Sequence, residues 1–305
     1  MRFFTATTLL FTVLMFGCKP SEKALEAKVD YTYLAHALNN ILLEAVVQDG
    51  FTPPVASRIY AYANIAGYES IRHGTPEYKS WVGQLNAFDE LSTPNADATY
   101  DWQVVMVKAF CDVSVQMVYR DFIIEKGEEI LLDSLKKNVG DEEIFNRSID
   151  YGKQLAKSIH AWMKTDGYDK TRNMPKFTVS DTAGSWQPTP PKYGEAIEPH
   201  WHKVRPFVMD STGQFREKLP FTYDESKDSE FRKLVDEVFE IVANANDEHI
   251  EIAKFWDCNP APMIVGGHIM QVNRQNTPGG HWIGITKIAS KKSKLNLIET
   301  MEILA

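Results

Sequence analysis

The sequence predicts an all-α protein: a helical bundle with long ordered loops rich in proline and aromatic residues. Apolar side chains recur at helical spacing in several stretches, most clearly over 102–117. No stretch alternates convincingly between polar and apolar residues, as a half-buried strand would. The segment 166–207 has no helical period, yet it combines six prolines with six aromatic residues. These three observations together favour helices joined by structured loops.

Start and stop signals divide the chain into helices. Gly50 ends the first helix, and Pro53 opens the second within its first turn. Asp141 is a good N-cap for a helix that carries Glu142 and Glu143 in its first turn. The predicted helices cover 31–47, 53–73, 99–117, 121–138, 141–165, 229–243, 247–256 and 281–304, with a short helical piece within 75–98.

The helix predicted over 53–73 carries few charges and many small residues. Ala56, Ala63 and Gly67 lie roughly along one face, where small side chains allow another helix to approach closely. We therefore expect this helix to be buried on nearly every side.

Residues 166–207 are here named the wrap. Disordered linkers are usually poor in aromatic residues, because they have no core in which to bury them. We therefore interpret the wrap as an ordered segment whose rings insert into a surface made by the flanking helices. Long connections of this kind are either functional or simple structural crossovers, and the sequence leaves both interpretations open.

The first 30 residues have the pattern of an export signal. Arg2 precedes an apolar run over 3–16 that is too short to span a membrane. Gly17-Cys18 after this run resembles the processing site of a bacterial lipoprotein. We expect residues 1–18 to be a signal peptide with a lipobox, 19–30 a tether and 31–305 the helical region. Lipidation of Cys18 would hold the protein in the cell envelope, outside the cytoplasm; an ordinary signal peptide is the alternative.

Charge and cysteine content exclude some functions. The net charge is −8 and the pI is near 5.6, which argues against a nucleic-acid partner. The common hydrolase, nucleotide-binding and zinc signatures are absent from the sequence. If Cys18 is lipidated, Cys111 and Cys258 remain, and they form either a disulfide or free thiols.

Two histidine motifs are candidate sites. His200 and His202 would share one face of an extended segment with Glu198, which suits a metal ion. The alternative is that these histidines are hydrogen-bonded to loop backbone. Pro278-Gly279-Gly280-His281 precedes a helix, so backbone N–H groups there would attract an anion on which His281 would act. The alternative is a turn with a histidine in the first helical turn.

A further polar group contains Glu248, His249, Glu251 and Asp257. These residues are the types used in carboxylate–imidazole chemistry. Their spacing on a solvated helix favours surface positions instead.

Several blocks of the chain carry a family resemblance: PPVASRIYAYANIAGYESI, DGYDKTRNMPKF, SWQPTPPKY, HWHKVRPF, AKFWDCNP and TPGGHWIGI. They resemble the N-terminal regions of bacterial vanadium-dependent haloperoxidase-like proteins of the phosphatidic acid phosphatase type-2 superfamily. The resemblance implies an all-α bundle whose site binds vanadate or phosphate through the motifs K-x6-R-P, P-S-G-H and S-R-x5-H. In such sites the lysine and arginines hold the oxyanion, one histidine acts as acid/base, and the last histidine is nucleophile or vanadium ligand.

None of the three motifs is complete in this chain. Each has a partial counterpart that lacks one required residue: Arg205-Pro206 with Glu198 in place of the lysine, Pro278-Gly279-Gly280-His281 without the serine, and Ser57-Arg58 with Asn64 in place of the histidine. We therefore assign no catalytic residue, with His281 as the weak candidate. We expect vanadate in complete relatives but none in this chain.

These observations lead to an expectation of truncation before the catalytic helices, with a downstream catalytic domain as the partner. The apolar face of 295–305, which includes Leu297, Ile298, Met301 and Leu304, is expected to lack a partner surface within the chain. The product would then have neither haloperoxidase nor phosphatase activity. The alternative function is a non-catalytic, lipid-anchored envelope protein that binds a ligand or partner through the wrap.

Overall fold

The computed structural model describes residues 30–190, 193–260, 263–266, 269–272 and 274–305, with backbone alone for 263–266 and 269–272. Cys18, the predicted signal peptide and the tether up to residue 29 lie outside this part of the chain. The α-helices are α1 (Thr32–Asp49), α2 (Pro53–Ile71), α3 (Trp102–Val115), α4 (Asp121–Val139), α5 (Glu142–Met163), α6 (Tyr168–Arg172), α7 (Glu230–Ala243), α8 (Asp247–Phe255), α9 (Pro278–Ser293) and α10 (Leu297–Leu304).

The predicted all-α class is confirmed, with one small addition. Strands β1 (Met263–Gly266) and β2 (Ile269–Val272) form an antiparallel pair in which Met263 lies opposite Val272. The sequence predicts no strand in this region. Each strand has four residues, which is too short for an alternating pattern to stand out.

Helix α2 lies at the centre of the bundle, in contact with α3, α5, α9 and α10. Its apolar residues from Val55 to Ile71 are buried except Ala61, so the predicted burial on nearly every side is confirmed. The close approach at Gly67 is also confirmed, because a Cβ placed there would lie 2.4 Å from Met301 Cε on α10. The absence of a side chain at Gly67 therefore leaves room for the Met301 methyl group of α10.

The predicted caps of α1 and α5 are confirmed. Gly50 ends α1 in the left-handed region, with φ 72°, which favours glycine. The Asp141 side chain accepts hydrogen bonds from the N–H groups of Glu143 and Ile144. Helix α8 differs in one detail, since its N-cap is Asn246 and not Asp247.

The C-terminal helical region differs from the prediction. One helix was expected over 281–304. Instead, α9 begins at Pro278 and ends before Lys294, which has a left-handed conformation with φ 54°, and α10 follows as a separate helix. Asn296 then caps α10 through reciprocal hydrogen bonds with Glu299.

The expectation that the apolar face of 295–305 lacks a partner is wrong. Leu297, Ile298 and Met301 are buried, and α10 packs against α1 and α2. Leu304 packs partly against the same core. This surface is therefore covered within the chain itself.

Two further predictions fail. The region 75–98 contains turns and no described helix. Helix α7 was expected to bury one face, yet no residue of α7 or α8 is buried. On α7 the side chains of Val238, Phe239 and Val242 are 62%, 70% and 69% exposed.

Among the described helices, none combines the length and apolar character that crossing a membrane requires.

Candidate functional site

The wrap is fixed to the bundle by a buried ion pair. Arg58 Nε on α2 donates to Asp166 Oδ2 over 2.6 Å, and the two side chains are 8% and 2% exposed. The same carboxylate oxygen accepts from the Tyr62 hydroxyl at 3.1 Å, and Oδ1 accepts from the Tyr168 N–H at 2.8 Å. Burial beside this carboxylate raises the pKa of the Tyr62 phenol above its usual range. Asp166 therefore has its charge and its lone pairs satisfied without solvent.

The far end of the wrap returns to the same point. The Arg205 N–H donates to the Asp166 carbonyl at 2.8 Å. The Arg205 guanidinium donates to Thr165 Oγ1 at 2.7 Å and to the Trp162 carbonyl at 3.1 Å, and it lies 5.2 Å from the Trp162 ring centroid. Both ends of the wrap therefore meet beside Asp166, and the wrap closes on itself.

Tyr168 forms the second attachment of the wrap. Its ring lies between two guanidinium groups, with Arg58 Cζ 4.4 Å and Arg172 Cζ 4.5 Å from the centroid. Arg172 pairs with Glu198, and Glu198 also accepts a hydrogen bond from Thr52 Oγ1 at 3.2 Å. The hydrogen bonds from Arg172 lower the pKa of the Glu198 carboxyl. Glu198, which stands at the lysine position of the K-x6-R-P motif, thus fastens the wrap.

Some rings of the wrap insert into the bundle as predicted, and others do not. Phe207 packs edge-on against Tyr62 and Trp162, with ring centroids 5.1 and 5.7 Å apart. Phe177, Trp186 and Tyr193 remain 44%, 47% and 62% exposed. Tyr168 at the start of the wrap also packs against the core, so insertion occurs at the two ends of the wrap and not in its middle.

Two cavities adjoin the wrap. One of about 530 Å³ lies between α2 and residues 201–212, and both Arg58 and Arg205 line it. The other, of about 370 Å³, is lined by residues 171–200 of the wrap. The first cavity is of the size that small-molecule sites have, and its walls combine apolar rings with cationic groups.

The predicted histidine pair does not have the expected geometry. Residues Trp201–Lys203 form a 3-10 turn and not an extended segment, so the argument for a shared face fails. His200 Nε2 donates to the Pro175 carbonyl at 2.7 Å, which matches the alternative of a loop histidine bound to backbone. His202 is exposed. Across the described ranges, no group of three or more His, Cys, Asp or Glu side chains is arranged to hold a metal.

His281 lies on the first turn of α9, after the N-cap Thr277. Its Nδ1 atom is 3.0 Å from the Sγ atom of Cys258, a contact that the sequence analysis missed. Cys258 and Cys111 are both free thiols, so the disulfide alternative is wrong. The polar group over 248–257 is exposed, as predicted.

No protein-family model and no curated protein matches the chain. A crystal structure described as that of the first bacterial vanadium-dependent iodoperoxidase matches the fold with a TM-score of 0.79 and 37% sequence identity. This match supports the resemblance of the chain to vanadium haloperoxidase-like proteins. The match covers 90% of this chain and 64% of that one, so the chain spans less than two thirds of the iodoperoxidase's length.

In this chain, the residues of the partial motifs do not form an oxyanion site. Arg58 is engaged by the Asp166 carboxylate, and Arg205 is bonded to neutral oxygens beside it. Asn64, at the position of the motif histidine, exchanges hydrogen bonds with Asn39 in the core. The Asp166 carboxylate, which pairs with Arg58, repels an anion such as vanadate. The residues present therefore do not fit that cofactor.

Proposed function

We propose that this chain is a scaffold portion of a vanadium haloperoxidase-like enzyme, and that the residues which bind vanadate are not among its 305. The observation that carries the proposal is that both guanidinium groups are engaged within the chain. Arg58 pairs with the Asp166 carboxylate, and Arg205 donates to the Thr165 hydroxyl and the Trp162 carbonyl. In the family that the sequence resembles, arginines hold the oxyanion. In this chain the only arginines within partial motifs hold the wrap.

The energetics of the ion pair support this assignment. Arg58 and Asp166 are both buried, so moving Arg58 onto an oxyanion would leave an unpaired carboxylate in the interior. Breaking a buried ion pair costs several kcal/mol, because the remaining charge loses its compensation. An anion bound by Arg58 would have to offset this loss.

The exposed faces of α7 and α8 support a partner segment. Ile252, Phe255 and Trp256 at α8 are 51%, 76% and 68% exposed, in addition to the apolar side chains of α7. Contiguous exposed apolar surface usually marks an interaction site. About a third of the iodoperoxidase chain has no counterpart here, which is enough to contain further helices.

The activity assay tests the proposal directly. Purified protein that shows a cooperative thermal transition is mixed with orthovanadate, hydrogen peroxide and iodide, and triiodide formation is followed by absorbance. Hydrolysis of p-nitrophenyl phosphate is measured in parallel. We expect no turnover above a protein-free control in either assay. Vanadate-dependent turnover that Arg205→Gln abolishes would contradict the proposal.

We also propose that Cys18 is lipidated and that the protein is anchored in a bacterial envelope membrane. The support is the apolar run before Gly17-Cys18 and the polar residues that follow it. Cells grown with labelled palmitate should yield labelled protein, and Cys18→Ala should remove the label. Label retained by that variant would show that the assignment is wrong.

A second candidate function is a non-catalytic envelope protein that binds a ligand through the wrap. The cavity of about 530 Å³ between α2 and residues 201–212 favours it. Native mass spectrometry of gently purified protein distinguishes the two functions. A small molecule that the wild-type protein retains and that Ala61→Phe displaces from this cavity would support the binding function. Spectra that show no ligand on either protein would contradict the binding function.

A further inference from the structure

Cys258 and His281 form a thiol–imidazole pair outside the wrap. Cys258 follows α8, and His281 lies on the first turn of α9, 23 residues later in the chain. Sγ and Nδ1 are 3.0 Å apart, which is close for a hydrogen bond to sulfur. The contact holds the two reactive atoms in a position for proton transfer.

The pair is accessible, and the other described cysteine is not. Cys258 is partly exposed and His281 is exposed, whereas Cys111 is 1% exposed in the core. Burial raises the pKa of the Cys111 thiol well above its usual range, which keeps that thiol protonated and inert. The chain therefore contains an internal control for thiol reactivity.

Hydrogen bonds at the start of α9 hold the backbone that carries the His281 imidazole. Thr277 caps α9 by accepting the Gly280 N–H at 3.2 Å, and the His281 N–H donates to the Thr277 carbonyl at 2.9 Å. A residue on the first turn of a capped 16-residue helix has little backbone freedom. These bonds hold the His281 backbone in place, and the contact with Cys258 Sγ orients its ring.

We propose that Cys258 is a modification site that hydroperoxides oxidise to the sulfenic acid, with His281 as the proton acceptor. The Cys258 proton moves to His281 Nδ1 as sulfur attacks one peroxide oxygen. The S–O bond forms, the O–O bond breaks, and the leaving oxygen takes the proton from the imidazole and departs as water or an alcohol. Sulfur loses two electrons and the peroxide gains them, so the step is balanced.

Site-resolved mass spectrometry tests this assignment on the full chain. The protein is treated at pH 7 with hydrogen peroxide and dimedone, which traps sulfenic acids, and separately with iodoacetamide, which needs no oxidant. We expect both adducts on the Cys258 peptide and almost none on the Cys111 peptide. Cys258→Ser should lose both adducts. An unreactive Cys258, or equal labelling of Cys111, would overturn the proposal.

His281→Gln tests the role of the imidazole. It should slow both reactions at Cys258 by roughly tenfold or more, because the proton acceptor is removed. His249→Gln is the matched control, since His249 is also exposed on the first turn of a helix and should leave the rates unchanged. Thermal melts confirm that each variant is folded. Wild-type rates in His281→Gln would show that the contact has no chemical role.

Discussion

Asp166 accepts hydrogen bonds from Arg58, Tyr62 and the Tyr168 backbone, and its own carbonyl accepts from Arg205. Three groups therefore depend on one buried carboxylate, two side chains of α2 and the backbone at Tyr168. Removing its charge leaves the Arg58 guanidinium buried without a counter-ion. The wrap then loses the interaction that joins its two ends to α2.

We predict that Asp166→Asn lowers the free energy of unfolding by about 3–5 kcal/mol, as expected for a broken buried ion pair. Urea denaturation of wild type and variant measures the difference. Glu142→Gln is the control, because the Lys136–Glu142 pair is 51% and 74% exposed and should contribute less than about 1 kcal/mol. Equal effects of the two changes would show that the Asp166 pair is not important for stability.

His73 gives the protein a pH-dependent stability. Its ring lies 5.3 Å from that of Trp102, and Nε2 lies 3.1 Å from the Tyr151 hydroxyl. Burial, with a smaller effect of Arg72, lowers the pKa of His73 to about 4. As pH falls from about 6.5 to about 4, the unfolded chain binds a proton here and the folded chain does not. Stability is therefore lost over this interval.

Between pH 7.5 and 5.0 the loss due to His73 should be about 1–2 kcal/mol, after allowance for partial exposure of the ring. Denaturation curves at the two pH values measure it. In His73→Gln the decrease should be smaller by that amount. A variant with the same pH dependence as wild type would contradict the assignment.

At the scale of elements, α10 is part of the core. Met301 is fully buried, and its Cε atom occupies the space beside Gly67. Met301→Ala should cost about 2–4 kcal/mol in unfolding free energy, because it leaves a cavity between α10 and α2. Ile303→Ala, at a side chain that is 59% exposed, should change stability by less than about 0.5 kcal/mol. Similar costs for the two would mean that α10 is not docked.

Helix α7 differs from α10, because none of its residues is buried. Val238→Glu combined with Val242→Glu should leave the melting temperature unchanged and reduce both aggregation and binding of an apolar dye. Light scattering and dye fluorescence measure the two effects. The control is Leu38→Glu, which places a carboxylate in the core and should prevent folding. A lower melting temperature in the α7 variant would show that this face is covered in the folded chain.

At the scale of the whole molecule, local sequence signals predicted most of the helices. They did not predict the features that depend on contacts between distant residues. The helix caps at Gly50 and Asp141 were predicted correctly, because capping depends on neighbouring residues alone. The break at Lys294 was missed, since the apolar period of 281–304 continues through it; the Asn296–Glu299 capping box was the available signal.

The wrap was recognised from its composition, but its attachment was not. Arg58 and Asp166 are 108 residues apart, and no spacing rule connects them. Cys258 and His281 are separated in the sequence by strands β1 and β2, which the sequence did not predict, so their contact was not predicted either. Likewise, the partial motifs gave no indication that a carboxylate pairs with Arg58.

Direct measurement of vanadate binding tests the central claim, that the arginines of this chain serve the fold and not an oxyanion. The full chain is titrated with orthovanadate by isothermal calorimetry, and the ⁵¹V NMR signal of free vanadate is followed at matched concentrations. We predict no saturable heat and no loss of the free signal. Stoichiometric binding that is lost in both Arg58→Gln and Arg205→Gln, with each variant shown to be folded, would contradict the account.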